Sequence, residues 1–181
     1  TESSHLAHIL QKIVVKSSKS NSETIVEKKT VKEKNGRRRF IDNVPRAKHV
    51  DENTYTAIVN GFYEYRNHLP ADVKVLLANY TIIDIIRYSV GVGSFGTRCY
   101  LLLLAGHLVL QMKESLPLRY NLLQLTVDDV IRRSVNAGNR IVTAQKVLQS
   151  ASDPFLGSTH FGHRSYYVRQ FRDMKESIDV G

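Results

Sequence analysis

The stretch Thr81-Ile82-Ile83-Asp84-Ile85-Ile86-Arg87-Tyr88-Ser89-Val90-Gly91-Val92-Gly93-Ser94-Phe95-Gly96-Thr97-Arg98-Cys99-Tyr100-Leu101-Leu102-Leu103-Leu104-Ala105-Gly106-His107-Leu108-Val109-Leu110-Gln111-Met112-Lys113-Glu114 carries the architecture of the chain. A β-branched and aromatic run stops at a glycine-rich turn. A second apolar run follows, then a tight turn at Ala105-Gly106-His107 and a third run. Such runs bounded by turn residues read as three antiparallel strands. The glycines from Gly91 to Gly96 match G-x-G-x-x-G, which occurs in two settings. In a dinucleotide-binding unit the glycines open a helix that receives a pyrophosphate at its N-terminus. Here they open Thr97 to Leu103, which is strand-like in composition. Glu114, at the spacing of a ribose-binding acid, is therefore a false lead.

A glycine turn between antiparallel strands can fold over a triphosphate, because residues without Cβ let backbone N–H groups approach phosphate oxygens. Ser94 would add a hydroxyl, and Phe95 at the tip would shield the phosphates from water. Period-two alternation puts Val109, Gln111 and Lys113 on one face of the returning strand, with Lys113 reaching the same phosphates. This is the arrangement expected of a protein kinase, with its glycine loop and strand lysine.

Working outward, helical spacing resumes upstream in Tyr55, Ile58, Val59, Phe62 and Tyr65. Asp51 stands as N-cap, and the helix ends near His68 before Pro70. A shorter helix follows over roughly Ala71 to Asn79. Earlier still, Ser3 or Ser4 caps a short helix bearing Leu6, Ile9, Leu10 and Ile13. Thr24 to Lys32 and Arg37 to Asp42 read as two strands around Lys34-Asn35-Gly36. Val44, before Pro45, is expected to be extended. Downstream, Val127 to Leu148 has helical spacing. Phe155 to Ser158 and Ser165 to Phe171 form a last hairpin turning near Phe161-Gly162-His163. The fold class is α+β: an antiparallel sheet of about five strands with a packed helix, preceded by helices and a basic β-hairpin.

The 181 residues allow one ordinary domain or a piece of a larger one. At 42% hydrophobic and 24% charged, the chain reads as globular. The longest apolar run, Tyr100 to Ala105, is far too short to span a bilayer, and no signal peptide is evident. Cys99 is the single cysteine, so an intrachain disulfide is excluded and a cytoplasmic setting is expected. Of the net charge of +9, a surplus of eight lies between Lys12 and Lys48, where twelve Lys and Arg face four acids. Such an arm attracts nucleic acid or an acidic partner, yet Phe40 is the only aromatic residue there for base stacking.

Four blocks, Val90 to Cys99, Leu110 to Glu114, Gln145 to Gly157 and Tyr167 to Lys175, together resemble a bacterial family of unknown function. That family is similar to the aminoglycoside and choline phosphotransferases of the kinase-like superfamily. The resemblance implies phosphate contact by Gly91, Gly93, Ser94 and Gly96, charge neutralisation by Lys113, and a hinge near Phe171 to Met174 beside a base; Phe95 joins the nucleotide-binding set through its shielding role. Arg98 and Arg172 are further anion candidates, since guanidinium forks suit phosphate. The implied cofactor is ATP or GTP with Mg²⁺, and the implied partner a small-molecule acceptor.

Three features depart from that pattern. Gln111 stands where a small apolar residue roofs the base, Arg98 where an apolar residue packs beneath it, and the helix from Asn139 to Ser150 carries no acid. No His-x-Asp catalytic loop with a spaced Asn occurs: His49-Val50-Asp51 has Thr56 where the Asn would stand. The resemblance places the catalytic acids outside this chain, which reads as residues 1–80 preceding a nucleotide-binding lobe over 81–176, with 177–181 opening a continuation. The rival expectation is a non-catalytic module that senses nucleotide or engages nucleic acid through residues 12–48. His160 and His163 alone do not make a zinc site.

Overall fold

The computed structural model describes residues 22–89, 96–115 and 153–172. The expected helices near Leu6 and over Val127 to Leu148 lie outside them. The described chain runs through a helical segment, residues 22–29 (α1), a short hairpin of β1 (Thr30–Lys32) and β2 (Arg38–Phe40), then β3 (Ala47–His49). Helices α2 (Glu52–Asn67) and α3 (Ala71–Leu77) follow. The strands β4 (Ile82–Tyr88), β5 (Cys99–Leu104), β6 (Leu108–Ser115), β7 (Gly157–Phe161) and β8 (Arg164–Gln170) complete an α+β fold. The larger sheet has six strands in the order β3-β4-β5-β6-β8-β7, all pairs antiparallel.

The three runs around the glycine turn form the centre of this sheet, with Cys99 opposite Lys113 and Leu104 opposite Leu108. The turn between β5 and β6 takes positive φ at Gly106 (78°) and His107 (64°). The last hairpin turns at Gly162 (φ 58°), the position where a two-residue loop of this kind favours glycine. The apolar run Leu101 to Leu104 is continuous rather than alternating because β5 is buried on both faces. On one face Tyr100, Leu102, Leu104, Leu110, Met112, Tyr166 and Val168 pack against Ile58, Phe62, Tyr65, Leu69, Val73 and Leu77 from the helices. On the other, Leu101, Leu103, Val109, Ile86 and Tyr88 meet Ile25, Val26, Phe40, Ala47 and Phe171.

α2 matches its sequence signals. Asp51 caps it, accepting hydrogen bonds from the Thr54 backbone N–H at 2.9 Å and hydroxyl at 2.8 Å. Its approach to β7 depends on two glycines. A Cβ on Gly61 would stand 2.7 Å from the Phe161 ring, and one on Gly157 2.7 Å from the Tyr65 ring. The contact is sealed by Thr159 donating to the Gly61 carbonyl at 2.8 Å and by the Tyr65 hydroxyl donating to the Phe155 carbonyl.

The basic segment corrects three expectations. Residues 22–29 are helical, not a strand: Ser22, Ile25, Val26 and Thr30 are the buried positions, a spacing of three and four that overrides the β-branched composition. Strand pairing is confined to Thr30–Lys32 and Arg38–Phe40, around a five-residue loop in which Gly36 takes φ 82°. Val44-Pro45 is a cis peptide in a turn rather than an extended stretch. That turn is closed by mutual backbone hydrogen bonds between Asn43 and Ala47, each 2.8 Å. The turn returns the chain as β3, the sixth strand, whose three residues were too few to read.

The segment is fastened to the sheet by a polar knot. The His49 imidazole stands between two carboxylates, Nδ1 2.9 Å from Asp42 Oδ2 and Nε2 2.9 Å from Asp84 Oδ2. Asp84 Oδ2 also accepts the Phe40 N–H at 2.7 Å. The His49 backbone N–H and then its ring hold the Asp42 carboxyl below its ordinary value near 3.8.

Three outcomes follow from this packing. Gly157→Val, which drives a side chain into Tyr65 and Leu69, lowers stability by about 2 kcal/mol or more in chemical denaturation. Asp84→Ala leaves the Phe40 N–H without its acceptor and the His49 Nε2 without its carboxylate partner, and costs about 2 kcal/mol by the same measurement. In an acid titration followed by circular dichroism, the stabilisation from Asp42 and Asp51, whose folded-state values are both depressed, is fully present above pH 3.8. It is lost as pH falls through the lower folded values.

Candidate functional site

The face of the sheet that carries Lys113 is organised by register in cross-strand rows. One row runs Tyr88, Cys99, Lys113, Tyr167; the next runs Ile86, Leu101, Gln111, Arg169. Alternation of two puts all of these side chains on the same side. Because β8, not β7, pairs with β6, the chain's exit from the sheet at Phe171 lies beside the lysine strand.

Gln111 is 4% exposed and holds this face together. Its amide nitrogen donates to Cys99 Sγ at 3.2 Å and its Oε1 accepts from Arg169 Nε at 2.9 Å. The Arg169 guanidinium in turn lies 5.9 Å from the centre of the Tyr167 ring. Arg169 is the diagonal cross-strand neighbour of Lys113, roughly 7–8 Å away by the geometry of a sheet. Two cations thus share one half-buried patch. The one acidic side chain of β6 and β8 lies off this face: Glu114 projects oppositely, where its carboxylate accepts the Arg98 N–H at 3.0 Å and pairs with the Arg164 guanidinium. That pairing accounts for Glu114 as a structural residue.

Cys99 is a buried free thiol. Burial pushes its pKa up, opposed by the Gln111 hydrogen bond and the charges of Lys113 and Arg169. A thiol so placed is a poor nucleophile.

The structure brings some expected residues together and separates others. Gly91, Gly93, Ser94 and Phe95 lie outside the described residues; Gly96 is exposed with φ 95° in the turn entering β5. Lys113 stands on the strand and face expected of it. Arg98 does not share that face. Its backbone pairs with Glu114, one residue out of phase, and its charge acts on Tyr166 across the sheet. Cys99 occupies the place where the resemblance looked for Arg98. Arg172 is exposed at the end of β8, and Phe171 is 3% exposed, packed edge-on against Tyr88 with ring centres 5.7 Å apart. The side of Phe171 toward the sheet is thus filled by the chain's own core.

Arg169 and Tyr167 were missed by the sequence reading. The signal was present in the alternation of Tyr167, Arg169 and Phe171, but it becomes legible only once β8 is known to pair with β6. His160 faces Glu64 at 3.7 Å, and no group of three or more metal-ligating side chains occurs among the described residues. Nor, among those residues, is any helix long and apolar enough to cross a membrane.

Comparison with known proteins gives one match. No curated protein and no solved structure matches the chain. A family model does, over residues 1–181, and its description reads "Uncharacterized protein conserved in bacteria (DUF2252)". The chain belongs to this uncharacterised bacterial family.

Proposed function

We propose that this chain is the nucleotide-holding part of a kinase-like phosphotransferase that acts on a small molecule. The observation that carries the reading is the placement of Lys113 and Arg169 on one face of β6 and β8, with Glu114, the one acid of these two strands, on the other. Paired cations, with the backbone N–H groups that a glycine-rich segment can offer, would provide the electrostatics that a transferring phosphoryl group requires. The order of β4, the glycine-rich sequence, β5 and the lysine strand β6 supports the same reading, as does the return of β8 beside β6.

The ligand is ATP or GTP with Mg²⁺. Backbone N–H groups of the Gly91–Gly96 turn would hold the phosphates, Lys113 and Arg169 would neutralise them, and Gln111 would fix the Arg169 guanidinium through the 2.9 Å hydrogen bond. Acids that hold Mg²⁺ and activate the acceptor are supplied by other segments of the protein. The rival reading, nucleic-acid binding through residues 12–48, receives little from the described part of that segment: Phe40 is 3% exposed and offers no stacking surface.

Calorimetric titration of the full-length protein with Mg·ATP and Mg·GTP tests the proposal. At least one binds more tightly than inorganic phosphate. Lys113→Met and Arg169→Gln each weaken that nucleotide by about tenfold or more, the loss expected for a charge-assisted phosphate contact. Arg98→Gln, across the sheet, leaves the affinity within about twofold on the same reasoning. Binding that is indifferent to Lys113→Met, or no binding of either nucleotide, rejects the proposal.

A further inference from the structure

A recess of about 170 Å³ opens between the basic segment and the edge of the sheet. Its floor is apolar, made by Phe40, Ile86, Tyr88 and Leu101, with Ala47 at one side; its rim carries Lys28, Lys29 and Arg46. No acid lines it. The volume is of the order that admits a benzene ring. An apolar cavity with convergent cations at its mouth is the form of a site for an organic anion.

Two of its features are preorganised. Arg46 belongs to the turn closed by the Asn43 and Ala47 hydrogen bonds, and its carbonyl accepts the Ser89 N–H at 2.8 Å, so the base of the arginine is fixed on both sides. Tyr88 presents its ring to the floor, with the Lys29 ammonium 5.3 Å from the ring centre and 3.4 Å from the hydroxyl. The lysine ammonium is thereby held against the Tyr88 ring. Tyr88 is two strands from Lys113, roughly 10 Å across the sheet, so the recess is separate from the lysine patch.

We propose that this recess binds a small organic anion, an aromatic or compact apolar group bearing a phosphate monoester or carboxylate. The apolar group lies on Phe40, Ile86, Tyr88 and Leu101, and the anion meets Arg46 at the rim. Neither half of the ligand suffices: inorganic phosphate lacks the contact with the floor, and a neutral arene brings no charge to Arg46. The site stands on its own geometry and does not depend on nucleotide binding at Lys113.

The test is calorimetric titration of the full-length protein with phenyl phosphate, with inorganic phosphate and benzyl alcohol as half-ligands. Phenyl phosphate binds at least about tenfold more tightly than either half-ligand, and the exposed substitution Arg46→Glu weakens it by about tenfold or more. Ala47→Leu, which fills the recess, abolishes binding; because that variant touches the core, its folding is checked by circular dichroism and the Arg46→Glu result stands alone if it fails to fold. Lys113→Met leaves phenyl phosphate binding unchanged. Equal affinity for phenyl phosphate and inorganic phosphate, or indifference to Arg46→Glu, overturns the proposal. If Lys113→Met abolishes binding while Arg46→Glu does not, the ligand occupies the lysine patch and the recess is not a site. Loss of nucleotide binding with phenyl phosphate binding intact would reject the nucleotide reading alone.

Discussion

Alternation across a sheet covered on both sides is the constraint from which the rest of this structure follows. β5 is buried along its whole length, so each residue on β5 and β6 belongs either to the helix-covered face or to the face covered by the basic segment. A slip of one residue in either strand would exchange the two sets. It would expose Leu102 and Met112 to the wrong neighbours and turn Lys113 into the helix-packed core. The register is therefore fixed by hydrophobic burial, and the position of the candidate phosphate-binding cation is fixed with it.

The same constraint sorts charge. On the helix side, Glu114 is buried with Arg164 and the Arg98 backbone as partners, so its charge is compensated where it stands. On the other side, Gln111 supplies a neutral bridge between Cys99 and Arg169. A buried amide satisfied at both ends costs little, whereas an acid at that position would neutralise the cations it now orients. Gln111 had looked like an awkward substitute for a small apolar residue roofing a base. In the structure it positions the Arg169 guanidinium instead.

Much of this was legible in the residues. The Asp51 cap, the α2 spacing, the three central strands and the last hairpin are strong local signals, because each element is written in consecutive residues. What escaped depends on long-range partners. Residues 22–29 became helical because Ile25 and Val26 pack on Leu101, Leu103 and Val109 from far along the chain. Three-residue β3 exists because Arg87 and Ile86 offer it an edge. Arg169 joined Lys113, and Arg98 left it, through strand pairing that no spacing in the sequence encodes.

Placing the phosphates of a nucleotide on the Lys113 face is the claim on which the functional account rests. A crystal structure of the full-length protein with a non-hydrolysable ATP analogue and Mg²⁺ tests it directly. The account predicts phosphate oxygens within hydrogen-bonding distance of Lys113 Nζ and beneath the Gly91–Gly96 turn. Phosphates bound across the sheet beside Arg98, or on the β1–β2 hairpin with Lys113 uninvolved, would contradict it.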